Sequence, residues 1–241
     1  MKQLHLPEKI QNILEDFVNR LKDVYKDGFI SLILYGSAAS GEFIAGYSNI
    51  DLAIILKDTS LENLAKIIKV INMPKFRIFN PVFFTEEYIK SSIDVFPIEF
   101  LDMKENYSLI YGKDVLKNLN IDIRNLRFQC EHELKANLIN IKRLYLNNRT
   151  KNALSTLMFK SFTSSIHILR NILRLKDKTP PYAKEELIEE IAKELELDET
   201  VFSRIYSLKK GDIRLTYKEV EDLFFSFVEE LEKAVNIVDK L

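Results

Sequence analysis

Residues 34–42, Leu-Tyr-Gly-Ser-Ala-Ala-Ser-Gly-Glu, and residues 48–56, Ser-Asn-Ile-Asp-Leu-Ala-Ile-Ile-Leu, decide the reading of this chain. Phe29 to Tyr35 is a short apolar run, expected to be a strand, and Gly36-Ser37 breaks it. Gly36 lacks a Cβ and permits a tight turn. Ser37 offers a hydroxyl and a backbone N–H. The amides that open the helix expected over Ala38 to Phe43 point toward an anion. Gly46 to Asn49 turns the chain into a second strand ending near Leu56. Asn49 and Asp51 are two apart, so in an extended strand both side chains face one way. Strand, Gly-Ser, short helix, polar-x-Asp and strand together describe a phosphate-and-metal site. The segment is not a P-loop, because no Gly-Lys-Ser/Thr follows the glycine. Gly36 and Gly41 also do not form a Gly-x-Gly-x-x-Gly fingerprint.

A further acidic group, Glu99, lies in Pro97 to Leu101, which reads as a third strand. If that strand pairs beside the one beginning at Asp51, Asp51 and Glu99 can share a divalent ion. Magnesium takes oxygen ligands and keeps water and substrate phosphate. Asp94 is the rival for this place, and Glu99 is preferred. Lys75 and Arg77 are within reach of phosphates or are solvated charges on a connector, and the second reading is favoured.

Away from this segment, residues 8–26 carry Ile10, Ile13, Leu14, Phe17, Val18 and Leu21 at helical spacing. Leu61 to Val70 is a helical candidate. Lys75 to Phe79 is a short strand or an extended loop. Thr85 caps a helix with Glu86 and Glu87 in its first turn. Asn106 to Tyr111 is expected as a short helix stopped by Gly112. From residue 124 the pattern is helical throughout: Asn125 to Asn147, Asn152 to Arg174, Lys184 to Leu195, Val201 to Leu208 and Tyr217 to Leu241. Helices joined by short links pack as a bundle. The expected fold is α+β, a mixed sheet with flanking helices over residues 1–120, followed by an all-helical bundle domain over 121–241.

The decisive segment resembles the signature of the DNA polymerase beta-like nucleotidyltransferase superfamily, especially its minimal and kanamycin nucleotidyltransferase-like members. There, Gly-Ser followed by Ser-Asp-x-Asp marks the active site. The resemblance covers residues 25 to 115. It implies that Gly36 and Ser37 contact the nucleotide phosphates, that Ser48 is the serine before the acidic pair, and that Asp51 is a metal ligand. It also implies that Glu99 is the third carboxylate, which helps activate the acceptor hydroxyl. The departure is Asn49, where the family carries its first metal-binding aspartate. Asparagine offers a neutral carbonyl oxygen and no charge.

The resemblance implies a magnesium- or manganese-dependent enzyme that moves a nucleoside monophosphate from a nucleoside triphosphate of unspecified base to a hydroxyl acceptor. That acceptor is a small molecule or a protein. The alternative is a degenerate nucleotide-binding or protein-interaction module, with Asn49 as its support. A homodimer is implied by the kanamycin-like members. The 241 residues carry a net charge of -1, which weighs against a nucleic-acid partner. Cys130 is the single cysteine, so disulfides within the chain and multi-thiolate zinc sites are excluded. No signal-peptide core and no apolar run long enough to span a membrane are present, so the expected location is cytoplasmic.

Overall fold

The structure is a computed structural model that describes residues 6–40, 49–147, 150–181 and 183–241, with the backbone alone for Ser37 and Ser40. The chain divides into two compact units, one ending at Ile121 and the other running from Asp122 to Leu241.

The first unit is built around a four-stranded sheet. Helix α1 (Glu8–Tyr25) buries Leu14, Phe17, Val18 and Leu21 along one stripe. It leads through Asp27-Gly28 into β1 (Phe29–Tyr35), then α2 (Ser37–Ser40) and β2 (Ile50–Leu56). Two short helices follow, α3 (Leu61–Ala65) and α4 (Ile68–Ile71), with Ser60 capping the first. Next come β3 (Phe79–Phe84), α5 (Glu86–Ser92), α6 (Pro97–Glu105) and β4 (Tyr107–Gly112). The Thr85 hydroxyl caps α5 by accepting the Tyr88 N–H. Strand order is β3-β2-β1-β4. β2 and β3 are parallel, and the other two pairs are antiparallel.

Both faces of the sheet are covered, which explains why β1 and β2 read as nearly continuous apolar runs. Leu32, Leu34, Leu52 and Ile54 pack toward α1, where Phe17 meets Phe76 and Phe79 with ring centroids 5.0 Å apart in each pair. Ile33, Ala53 and Ile55 face the opposite way and pack with Ile89 of α5, Phe100 and Met103 of α6, and Leu116.

Three expectations are corrected. Pro97–Leu101 is not a strand but the opening of α6. Its apparent alternation at Ile98 and Phe100 misleads, because Pro97 occupies the first helical turn, where its missing N–H costs nothing. The strand beside β2 is instead β3, which begins at Phe79, where the expected Lys75–Phe79 strand or loop ends; Pro74–Phe76 is a 3-10 turn. Pro81 obscured it, since proline suits only an edge strand, and β3 is an edge. Asn106–Tyr111 is not a helix, because Tyr107–Gly112 pairs with β1. Gly112, with φ +82°, ends that strand where a Cβ would come within 2.0 Å of the Ile30 carbonyl oxygen.

The second unit consists of α7 (Ile123–Tyr145), α8 (Lys151–Leu175), α9 (Lys184–Leu195), α10 (Glu199–Lys210) and α11 (Tyr217–Val238). Asp122, Thr150, Asp198 and Thr216 cap four of these helices through their side-chain oxygens. α8 touches all four of the others. Phe162 on α8 packs against Phe202 of α10 and Phe227 of α11, centroids 6.5 and 6.3 Å away. Buried Glu230 accepts the Asp198 N–H at 2.9 Å and the Lys233 ammonium at 2.7 Å, tying the start of α10 to α11. The architecture is therefore a mixed sheet with flanking helices followed by an all-helical bundle. Among the described residues no helix is long and apolar enough to cross a membrane.

Candidate functional site

β1 delivers Tyr35 and then Gly36, while β2 runs antiparallel and sets Asp51 opposite Tyr35. Because side chains alternate along a strand, Asp51 lies on the same sheet face as Ala53 and Ile55, the face covered by α5 and α6. One row then crosses the sheet: Asn80 on β3, Asp51 on β2, Tyr35 on β1 and Tyr107 on β4.

Asp51 is half-buried and each of its oxygens has a definite neighbour. Oδ1 accepts a hydrogen bond from Asn80 Nδ2 at 2.8 Å. Oδ2 lies against Gly36, where a Cβ would come within 3.0 Å of it. Gly36 has φ +69°, a left-handed conformation that other L-residues adopt at a cost. The turn therefore requires glycine twice, for its backbone angle and for the closeness of the carboxylate. The Ala39 N–H donates to the Gly36 carbonyl at 2.9 Å, closing the turn into α2.

The tyrosines of the row are held in their protonated form. Burial, then the charge of Asp51, pushes the Tyr35 phenol up to about 12. Tyr107 is also pushed up to about 12, by burial first and then by donating to Asp114. That hydroxyl lies 2.9 Å from Asp114 Oδ2, while Asp114 Oδ1 also receives the Leu116 and Lys117 amides.

The expected residues are distributed unevenly. Gly36 and Asp51 come together. Asn49 stands exposed at the mouth of β2. Ser48 and the turn before it lie outside the described residues, as does the Ser37 side chain. Glu99 is exposed in the first turn of α6, where a carboxylate suits the helix N-terminus, and no strand pairing sets it beside Asp51. Asp94 is exposed in the turn between α5 and α6. Lys75 does not point to this corner. Its ammonium pairs with Asp16 of α1 at 2.5 Å and holds that carboxyl below its usual range.

Asn80 is the residue that sequence reasoning missed. The available signal was topological: an extended run following a strand and short helices commonly returns as a parallel neighbour. Among the described residues no three His, Cys, Asp or Glu side chains gather as a cation site. Asp51 with the Asn80 amide beside it is not such a cluster. It does fit a single hard cation whose other ligands are phosphate and water, as magnesium favours.

The family profile of the nucleotidyltransferase domain matches residues 13–193. A putative protein adenylyltransferase of Methanocaldococcus jannaschii is 41% identical over 49 residues, 20% of this chain and 33% of that protein. The matched stretch thus spans about a third of the curated relative. The crystal structure of spectinomycin adenyltransferase from Enterococcus faecialis, solved with ATP and spectinomycin, superimposes with a TM-score of 0.58 at 12% identity. That match covers 92% of this chain and 99% of the other, and at this identity it is a likeness of fold alone.

Proposed function

The chain belongs to the nucleotidyltransferase domain family, the DNA polymerase beta-like superfamily, and from that premise we propose that it transfers a nucleoside monophosphate from a nucleoside triphosphate to a hydroxyl acceptor, releasing pyrophosphate. The observation that carries this reading is the closeness of Asp51 to the Gly36 turn: a carboxylate against a side-chain-free backbone turn at one end of the sheet. ATP is the preferred donor, because one matched protein is named for adenylylation and the other was solved with ATP. The same two names support a protein hydroxyl and a small-molecule alcohol as the acceptor classes to try first.

In this reading the triphosphate lies along Gly36 and Ser37, with Ser48 beside it, and Asp51 holds a magnesium or manganese ion with help from the amide oxygens of Asn49 and Asn80. The ion, when bound, neutralises charge on the phosphates. Glu99, assigned by the family resemblance and carried on α6 and not on a strand beside Asp51, would take the acceptor proton as the new oxygen–phosphorus bond forms and the bond to pyrophosphate breaks. Tyr35 stays protonated and screens the inner side of Asp51 from water. A homodimer belongs to the same reading, and light scattering checks it.

A second reading, nucleotide binding without transfer, is favoured by one observation: Asn49, two residues before Asp51, and Asn80, across the sheet from it, are both uncharged. Calorimetric titration with non-hydrolysable nucleotide analogues, with and without magnesium, combined with transfer of label from α-labelled ATP, separates the two. Metal-dependent binding and labelling, both lost in Asp51→Ala, support transfer. Metal-dependent binding with no labelling of any protein or alcohol tried selects the second reading. Labelling that persists in Asp51→Ala refutes the site.

A further inference from the structure

We propose that Asn80 is a positioning residue that keeps Asp51 a poor cation ligand until nucleotide arrives, so that cation and triphosphate bind as a pair. The proposal rests on the reading of Asp51 as the cation carboxylate and adds the device that controls it.

Asp51 and Asn80 are register partners on parallel strands, although 29 residues separate them in the chain. Which end of the amide faces Asp51 follows from chemistry: an ionised carboxylate only accepts, so at 2.8 Å the neighbour must be the NH2 group and not the oxygen. The Asn80 oxygen is therefore turned away from the place a shared cation would occupy. Pro81 reinforces this arrangement. A residue before proline is confined to extended backbone, which keeps Asn80 in the strand register opposite Asp51 while leaving its amide free to rotate. The other carboxylate oxygen is pressed toward Gly36. A cation approaching Asp51 alone thus meets one negative charge, already shared with a donor whose partial positive charge opposes it. The triphosphate brings the missing negative charge and lets the amide turn its oxygen inward.

The test is manganese binding followed by electron paramagnetic resonance on the full chain, with no turnover involved. The wild type is expected to bind manganese weakly alone and on the order of tenfold more tightly, or better, with a non-hydrolysable ATP analogue. Asn80→Asp places a second carboxylate against Asp51, so manganese affinity without nucleotide is expected to rise by about tenfold or more. The same variant is expected to melt lower than wild type in chelator and to recover when manganese is added, because the ion relieves the facing charges. Asn80→Asp combined with Asp51→Ala should lose the gain. If Asn80→Asp does not fold, Asn80→Ala carries the test through a smaller gain, since it frees Asp51 without adding charge. Unchanged manganese affinity in the folded Asn80 variants, or equal wild-type affinity with and without nucleotide in protein shown to bind that nucleotide, overturns the proposal. A gain that survives loss of Asp51 does so too. Failure of every protein to bind nucleotide, with the manganese gain of Asn80→Asp intact, counts against the functional reading instead.

Discussion

Gly36→Ala is the most direct perturbation of the corner, because two separate costs meet there. A φ of +69° is left-handed, and an L-residue pays about 1–2 kcal/mol to stay in it. The new methyl would also sit 3.0 Å from Asp51 Oδ2, closer than ordinary contact, so the carboxylate must move. Moving it strains the Asn80 hydrogen bond, whose exposure keeps its own contribution small. The sheet unit should therefore lose about 1–2 kcal/mol, a fall in its thermal midpoint of about 3–12 °C. Nucleotide affinity should fall further than stability does, because Asp51 is displaced at the corner itself. Gly28→Ala is the control, since a Cβ there meets nothing within 4 Å. Gly112→Ala sets the upper end, because its Cβ would collide with the Ile30 carbonyl at 2.0 Å and separate β4 from β1. The measurement is thermal unfolding by circular dichroism for all three variants, with nucleotide titration of those that fold. A Gly36→Ala protein that melts and binds nucleotide like Gly28→Ala would refute the reasoning.

Other expectations are independent of the site. The Ser31 hydroxyl is buried in β1 without a hydrogen-bond partner among the described residues, so Ser31→Ala should stabilise the sheet unit by about 1 kcal/mol in urea unfolding. Thr216 and Glu219 form a reciprocal capping box at the start of α11, and Thr216→Ala should cost about 1 kcal/mol, read in the same assay. Tyr35 and Tyr107, both pushed from 10.0 up to about 12, should ionise among the last of the ten tyrosines when tyrosinate absorbance is followed against pH. Folding favours their protonated forms, so the stability linked to them is complete below pH 10 and is lost as pH rises toward 12. Tyr35→Phe should flatten that alkaline loss.

What the sequence revealed depended on how local its causes are. β1, β2, α1 and the five helices of the second unit were legible, because long periodic apolar stripes and strong turn residues act within a few residues. Gly36 and Asp51 were legible because their spacing is a local pattern. The stretch from Phe79 to Gly112 was not. Pro81 hid an edge strand, Pro97 opened a helix inside a run with strand-like alternation, and Gly112 marked a strand end against Ile30 and not a helix stop. Glu99 was placed on a strand for the same reason. Asn80 was invisible because its importance comes wholly from the parallel register that brings it to Asp51.

The position of α8 has a consequence for how the second unit opens. Leu154, Met158, Phe162, Ile166, Leu169 and Leu173 are all buried along its length, and each of the other four helices rests on it. A helix at the rim of a bundle can fray alone, but one that every neighbour leans on is released only when several neighbours leave together. The amide protons in the middle of α8 should accordingly trade with solvent deuterium at one common, slowest rate, and that rate becomes the measure of whether the bundle behaves as a single cooperative body.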